Sequence, residues 1–132
     1  MNRSTLDQVL EFHETYDAVI KDAPDLSNEH LNDFRVRLIQ EELDELKEAI
    51  SDMDKVETLD ALLDLQYVLD GAFLSLGFHK VKDTAFAEVH RSNMSKLGED
   101  GKPILRESDG KVLKGPNYFK PDIAQFVSDK AS

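Results

Sequence analysis

Apolar residues recur at intervals of three and four along three long stretches of the chain, and the four prolines, at 24, 103, 116 and 121, all fall outside them. The spacing predicts a first helix over about Thr5 to Lys21, with Leu6, Val9, Leu10, Phe12, Tyr16, Val19 and Ile20 on its apolar side and Ser4 as N-cap. A second is expected over about Asn28 to Ser51, capped by Ser27, with Val36, Ile39, Leu43, Leu46 and Ile50 as its seam. A third, about Lys55 to Leu76, is apolar on nearly every side, which places it in the middle of a bundle or at a subunit interface, and Gly77 follows as a C-cap. A fourth, about Asp83 to Leu97, carries Phe86, Val89 and Met94 and stops at Gly98. Beyond it the texture changes. Glu99 to Lys102 and Ser108 to Lys111 read as turns, Ile104-Leu105 and Val112-Leu113 as a small hairpin, and Asp122 to Val127 as a short helix. The expectation is an all-α, four-helix bundle forming a single domain, with a helical core over about 4–97 and an irregular tail over about 98–132.

At 132 residues and 15.0 kDa the chain suffices for one domain and is too short for two. Sixteen Lys and Arg against 27 Asp and Glu leave a formal charge of -11, which argues against polymeric nucleic acid or an anionic membrane as partner. The absence of Cys excludes disulfide scaffolds, thiolate metal sites and thiol nucleophiles. With no apolar signal core at the start and no membrane-length apolar run, the expected location is the cytoplasm. The charge is uneven: residues 1–79 hold six basic and nineteen acidic side chains, residues 80–120 nine and six. That is the electrostatic outline of a cation site beside an anion site, although chance produces such a split too.

On the second helix the row Leu31, Phe34, Leu38 continues into Glu41, Glu42 and Glu45, so an apolar stripe turns acidic. Most Glu clusters on helices are solvated faces, yet Glu41 and Glu45 repel each other at i and i+4, and a cation relieves that cost. On the third helix Glu57, Asp60 and Asp64 share a face within an otherwise apolar segment, where an unpaired carboxylate is expensive. Oxygen-only ligands point to a hard cation, Mg2+ or Mn2+, and no EF-hand loop is present to favour Ca2+. On the fourth helix Arg91 and Lys96, with Asn93 between them, are either partners of the helix dipole or a phosphate clamp completed by Lys111, Lys114 and Lys120. Tyr118 and Phe119 among those lysines serve as tail packing or as cover for a base. His13, beside Phe12, is by itself an ordinary residue of an amphipathic helix.

With these residues in view the chain resembles the all-α nucleoside triphosphate pyrophosphohydrolases, the superfamily of MazG, dimeric dUTPases and phosphoribosyl-ATP pyrophosphohydrolases. The Glu-Glu-x-x-Glu motif of that superfamily is matched by Glu41, Glu42 and Glu45, and its Glu-x-x-Asp motif ends at Asp64. Residues 86–97 and 109–122, together with Phe12-His13, are similar to the small MazG-like branch, so the likeness runs from about residue 10 to 125. One departure stands out: Ala61 occupies the position of the motif's Glu, and Asp60 is the expected substitute. The resemblance implies cleavage of a nucleoside triphosphate, dUTP foremost, to the monophosphate and pyrophosphate. It implies Mg2+, with Mn2+ as substitute, on Glu41, Glu42, Glu45, Asp60 and Asp64, with Glu41 or Glu42 as general base. Arg91, Asn93, Lys96, Lys111, Lys114 and Lys120 would hold the phosphates, Phe12, His13 and Tyr67 would contact the substrate, and the protein would assemble as a homodimer or homotetramer. Phosphoribosyl-ATP as substrate, and a non-catalytic helical adaptor, are the alternatives.

Overall fold

The computed structural model describes residues 3–127; its regular elements are all helical, with no strand among the described residues. The chain forms two compact units, one up to Lys80 and one from Val81 onward. The first holds α1 (Thr5–Thr15), α2 (Glu29–Ser51) and α3 (Lys55–Leu76); the second holds α4 (Lys82–Met94) and a short α5 (Ala124–Val127). A 3₁₀ turn at His79–Val81 falls at the boundary.

In the first unit each helix starts on a side-chain cap that satisfies an otherwise orphaned N–H. Asp7 N donates to Ser4 Oγ at 3.0 Å, Leu31 N to Asn28 Oδ1 at 3.1 Å and Glu57 N to Asp54 Oδ1 at 3.0 Å. The cap of α2 is thus Asn28, one residue after the expected Ser27. α1 ends six residues before the expected Lys21. Asp17 turns into the left-handed region at φ 56°, and Ala18 N donates back to His13 O, closing the helix. The residues after it, helical by spacing alone, run along the last turn of α3 instead. There Lys21 N donates to Leu74 O, Asp25 N to Leu76 O and Ser75 Oγ to Val19 O. The pairing supplies donors to carbonyls that a helix end leaves open, which outweighs the weak helical preference of Val19-Ile20.

α3 keeps its expected bounds and packs against both α2 and α1. Of the seam expected on α2, Ile39 and Leu46 are half-buried, and the other three members are not. Val36, Leu43 and Ile50 lie 64%, 40% and 56% exposed, while Arg35, Glu42 and Ala49 are the buried or half-buried line seven residues apart. Fully buried apolar side chains in this unit are few and small: Val9, Ala49, Ala61, Ala72 and Leu74.

In the second unit α4 stops at Met94, three residues before the expected end, because the tail takes over its last turn. Buried Ser92 donates through Oγ to Phe119 O at 2.8 Å, and Phe119 N donates to Ser95 Oγ at 3.2 Å. The expected hairpin is reduced to one bridge, Leu105 to Val112, with Leu113 N donating to Ile104 O.

Gly77 closes α3 at φ +84°, and a Cβ there would lie 2.1 Å from Ala23 O. Gly77→Ala is therefore expected to cost about 2–4 kcal/mol, from left-handed strain and displacement of the 18–25 segment. Urea unfolding checks this; a loss below about 1 kcal/mol would show that the segment is not held by that contact.

Candidate metal centre

α2 and α3 form an acidic trench of about 570 Å³ lined by Glu42, Glu45, Glu48, Asp60 and Asp64, with Asp52, Asp54 and Glu57 at the end nearer the α2–α3 turn. Buried Ala49 and Ala61 are its small apolar lining. Among the described residues no Lys or Arg forms an ion pair with any of these carboxylates. Glu42, Glu45 and Asp64 bring one oxygen each within 4.8 Å of one another. Glu42 Oε2 is buried with no hydrogen-bond partner, an orphaned acceptor in a cluster of like charge. The donors are all hard oxygens, so the residues fit a divalent cation of the Mg2+ or Mn2+ kind.

Like charge and burial shift the acids in the same direction. Desolvation, the adjoining Glu45 carboxyl and the charges of Asp64 and Asp60 push the Glu42 carboxyl up to about 7. Asp64 is raised as well, first by desolvation and then by Asp60 and Glu45. Asp60 lines the trench, exposed, and acts on the cluster through its charge without joining the three that converge. Ala61 is buried in the wall of the trench and brings no carboxylate to the cluster. Glu41 is exposed and neither lines the trench nor joins the cluster.

Phe12, His13 and Tyr67 come together in the first unit. The Phe12 ring meets Tyr67 edge-on at 5.6 Å and Tyr16 at 4.6 Å, and His13 is buried with Nδ1 3.1 Å from Val19 O. Together with Phe34 and Arg35 they line a second cavity of about 350 Å³.

The basic candidates belong to the second unit. Arg91 pairs with the buried carboxylate of Glu88 at 2.9 Å and lies 4.2 Å from the centre of the Phe119 ring. Glu88 also accepts from Asp122 N at 2.8 Å, and that bond, followed by Arg91, holds its carboxyl below the usual range. Lys114 lies over the Tyr118 ring. Asn93, Lys111 and Lys120 are exposed and Lys96 is half-buried, none of them in an ion pair among the described residues.

Sequence reasoning missed Glu48, Asp52 and Asp54 on the trench and Arg35 and Tyr16 on the second cavity. Arg35 was within reach, since the step from Leu31 to Arg35 to Leu38 to Glu42 follows the intervals of one helix face.

A family model described as phosphoribosyl-ATP pyrophosphohydrolase matches residues 9–93, which take in both acidic motifs. No curated protein matches the chain.

Because the folded chain holds the Glu42 proton more tightly than the unfolded chain does, the stability it contributes is full below about pH 4.5 and is lost as pH rises through about 7. In chelator the thermal midpoint is expected to fall between about pH 5 and about pH 8, and Glu42→Gln to flatten that fall and raise the midpoint at the upper end. A profile identical in the variant would show that Glu42 is not strained by its neighbours.

Proposed function

The chain belongs to the phosphoribosyl-ATP pyrophosphohydrolase family, within the MazG-like superfamily, and from that premise we propose that it hydrolyses a nucleoside triphosphate, with dUTP a leading candidate, to the monophosphate and pyrophosphate in a Mg2+-dependent reaction. The observation that carries the reading is the convergence of Glu42, Glu45 and Asp64, with one buried carboxylate oxygen left without a partner. A divalent cation held there would neutralise phosphate oxygens and acidify a water. Glu42 is the first candidate for the general base that takes a proton from the attacking water. Glu41, beside it in sequence, is the second candidate for that role. Asp60 supplies further negative charge at the trench wall, in place of the carboxylate that Ala61 lacks.

Phosphate binding is assigned to Arg91, Asn93 and Lys96, with Lys111, Lys114 and Lys120 from the tail. Arg91 is already oriented by Glu88, and an oriented guanidinium suits a planar pair of phosphate oxygens. The family's own description favours a second reading, phosphoribosyl-ATP as substrate. An adaptor would bind Mg2+ and nucleotide without releasing pyrophosphate.

We also propose a homodimer or homotetramer in the cytoplasm. Val36, Leu43 and Ile50 on α2, with Val56, Leu59 and Leu63 on α3, are large apolar side chains left exposed, a surface that a second copy would cover. No single helix among the described residues is long and apolar enough to cross a membrane.

A panel of triphosphates with pyrophosphate detection tests the chemistry. Glu42→Gln and Glu45→Gln are each expected to lower kcat by about a hundredfold or more at saturating Mg2+. Near wild-type turnover in either variant, or orthophosphate as product, would overturn the assignment. Sedimentation tests the assembly: Leu43→Lys with Ile50→Lys is expected to shift the protein to a monomer, and an unchanged sedimentation coefficient would show that this stripe is not the interface.

A further inference from the structure

Arg35 lies on the inward line of α2 with 7% of its surface exposed, and among the described residues no carboxylate is within ion-pair distance of it. Its Nε is buried without a hydrogen-bond partner, and the neighbour that faces its charge is the Phe34 ring at 5.3 Å. A desolvated guanidinium with no acceptor is costly, so a reason for keeping it must lie outside the bare chain. The residue lines the second cavity, whose other walls include Phe12, Tyr16 and Tyr67. Rings on several sides suit a planar ligand. Gly71 makes room for this arrangement: a Cβ there would meet Arg35 Nη1 at 2.8 Å and His13 Nε2 at 3.2 Å, so both tips rest beside the same bare stretch of α3 backbone.

His13 is the acceptor of the pair. Val19 O can only accept, so Nδ1 carries a proton, and burial, opposed by that bond and aided by the Arg35 charge, lowers the imidazole's pKa and disfavours a second proton on Nε2. Nε2 is then a bare lone pair beside a bare donor. Arg35 stands two turns before Glu42 on one face of α2, about 10 Å along the axis, and Tyr67 one turn after Asp64. A sugar and an α-phosphate can span that interval.

We propose that this cleft binds the base of the substrate, and that Arg35 and His13 select a base whose edge offers a carbonyl beside a ring N–H, as uracil, thymine, guanine and hypoxanthine do. The carbonyl accepts from the guanidinium and the ring N–H donates to Nε2. An amino base seated the same way sets donor against donor at Arg35 and lone pair against lone pair at His13, which adenine and cytosine would both suffer. The inference deepens the proposed function and takes from it that the ligand is a nucleotide.

Free nucleosides test it without phosphate, cation or turnover. The full chain, in chelator, is titrated with deoxyuridine, inosine, cytidine and adenosine while the ring resonances of Phe12 and Tyr67 are followed by NMR. Deoxyuridine and inosine are expected to bind about tenfold or more tighter than cytidine and adenosine. Arg35→Met is expected to erase that preference and to raise the thermal midpoint, since it removes an unpaired buried charge. Gly71→Ala, which pushes the guanidinium aside, is expected to weaken the preference with the Arg retained. The proposal is overturned if no nucleoside moves those resonances, if all four bind alike, or if the preference survives Arg35→Met. A midpoint lowered by Arg35→Met would reveal a partner inside the chain and overturn it too, as would inorganic phosphate displacing the nucleoside. Base preference without pyrophosphate release from any triphosphate would leave the cleft standing and remove the proposed function; release with no base preference would do the reverse.

Discussion

Arg35, Glu42 and Ala49 follow one another at seven-residue intervals along α2 and are withdrawn from solvent, so two charged side chains stand among the half-buried Leu31, Leu38, Ile39 and Leu46, where a helical bundle ordinarily buries only apolar residues. That placement governs the rest of the unit. Burying charge lowers stability unless each group finds a partner, and each of the two charged residues borders a cavity: an acidic trench at Glu42 and an aromatic cleft at Arg35. The apolar residues Val36, Leu43 and Ile50 emerge on the outside.

The helices were legible because their periodicity is local, and the end of α3 was legible because Gly77 punctuates it. The end of α1 was not legible. Val19 and Ile20 keep helical spacing beyond Asp17, and only the open carbonyls at the C-terminal end of α3 decide that they run extended. The same applies to α4, whose last turn gives way to Phe119, more than twenty residues away in sequence. Of the acidic site, Glu42, Glu45 and Asp64 follow from helix spacing plus the cost of unpaired carboxylates. Whether neighbours such as Glu41 and Asp60 share the cluster depends on where α2 meets α3, a rotation that a seam with several candidate lines does not specify.

The second unit is organised around one buried carboxylate. Glu88 accepts from Asp122 N and pairs with Arg91, while Ser92 and Ser95 fasten the backbone at Phe119, so a tail without strands is fixed to α4 at several points. The basic residues are divided, as the sequence divides them, between α4 and the tail, and the two share hydrogen bonds. Arg91 lies against Glu88 and the Phe119 ring, and that fixes its orientation before any anion arrives.

The unneutralised trench also governs how a phosphorylated molecule can approach. Residues 1–79 carry six basic against nineteen acidic side chains, and at physiological ionic strength such a field extends about 8 Å before counterions screen it. A bare triphosphate meets repulsion over that range and is slowed, the inverse of the steering that accelerates oppositely charged pairs. Added salt then speeds encounter where it ordinarily retards it, and a polyphosphate that has already gathered a divalent counterion crosses the barrier more readily than one that has not. A trench of this charge would thus sort anionic molecules by net charge before any residue touched them.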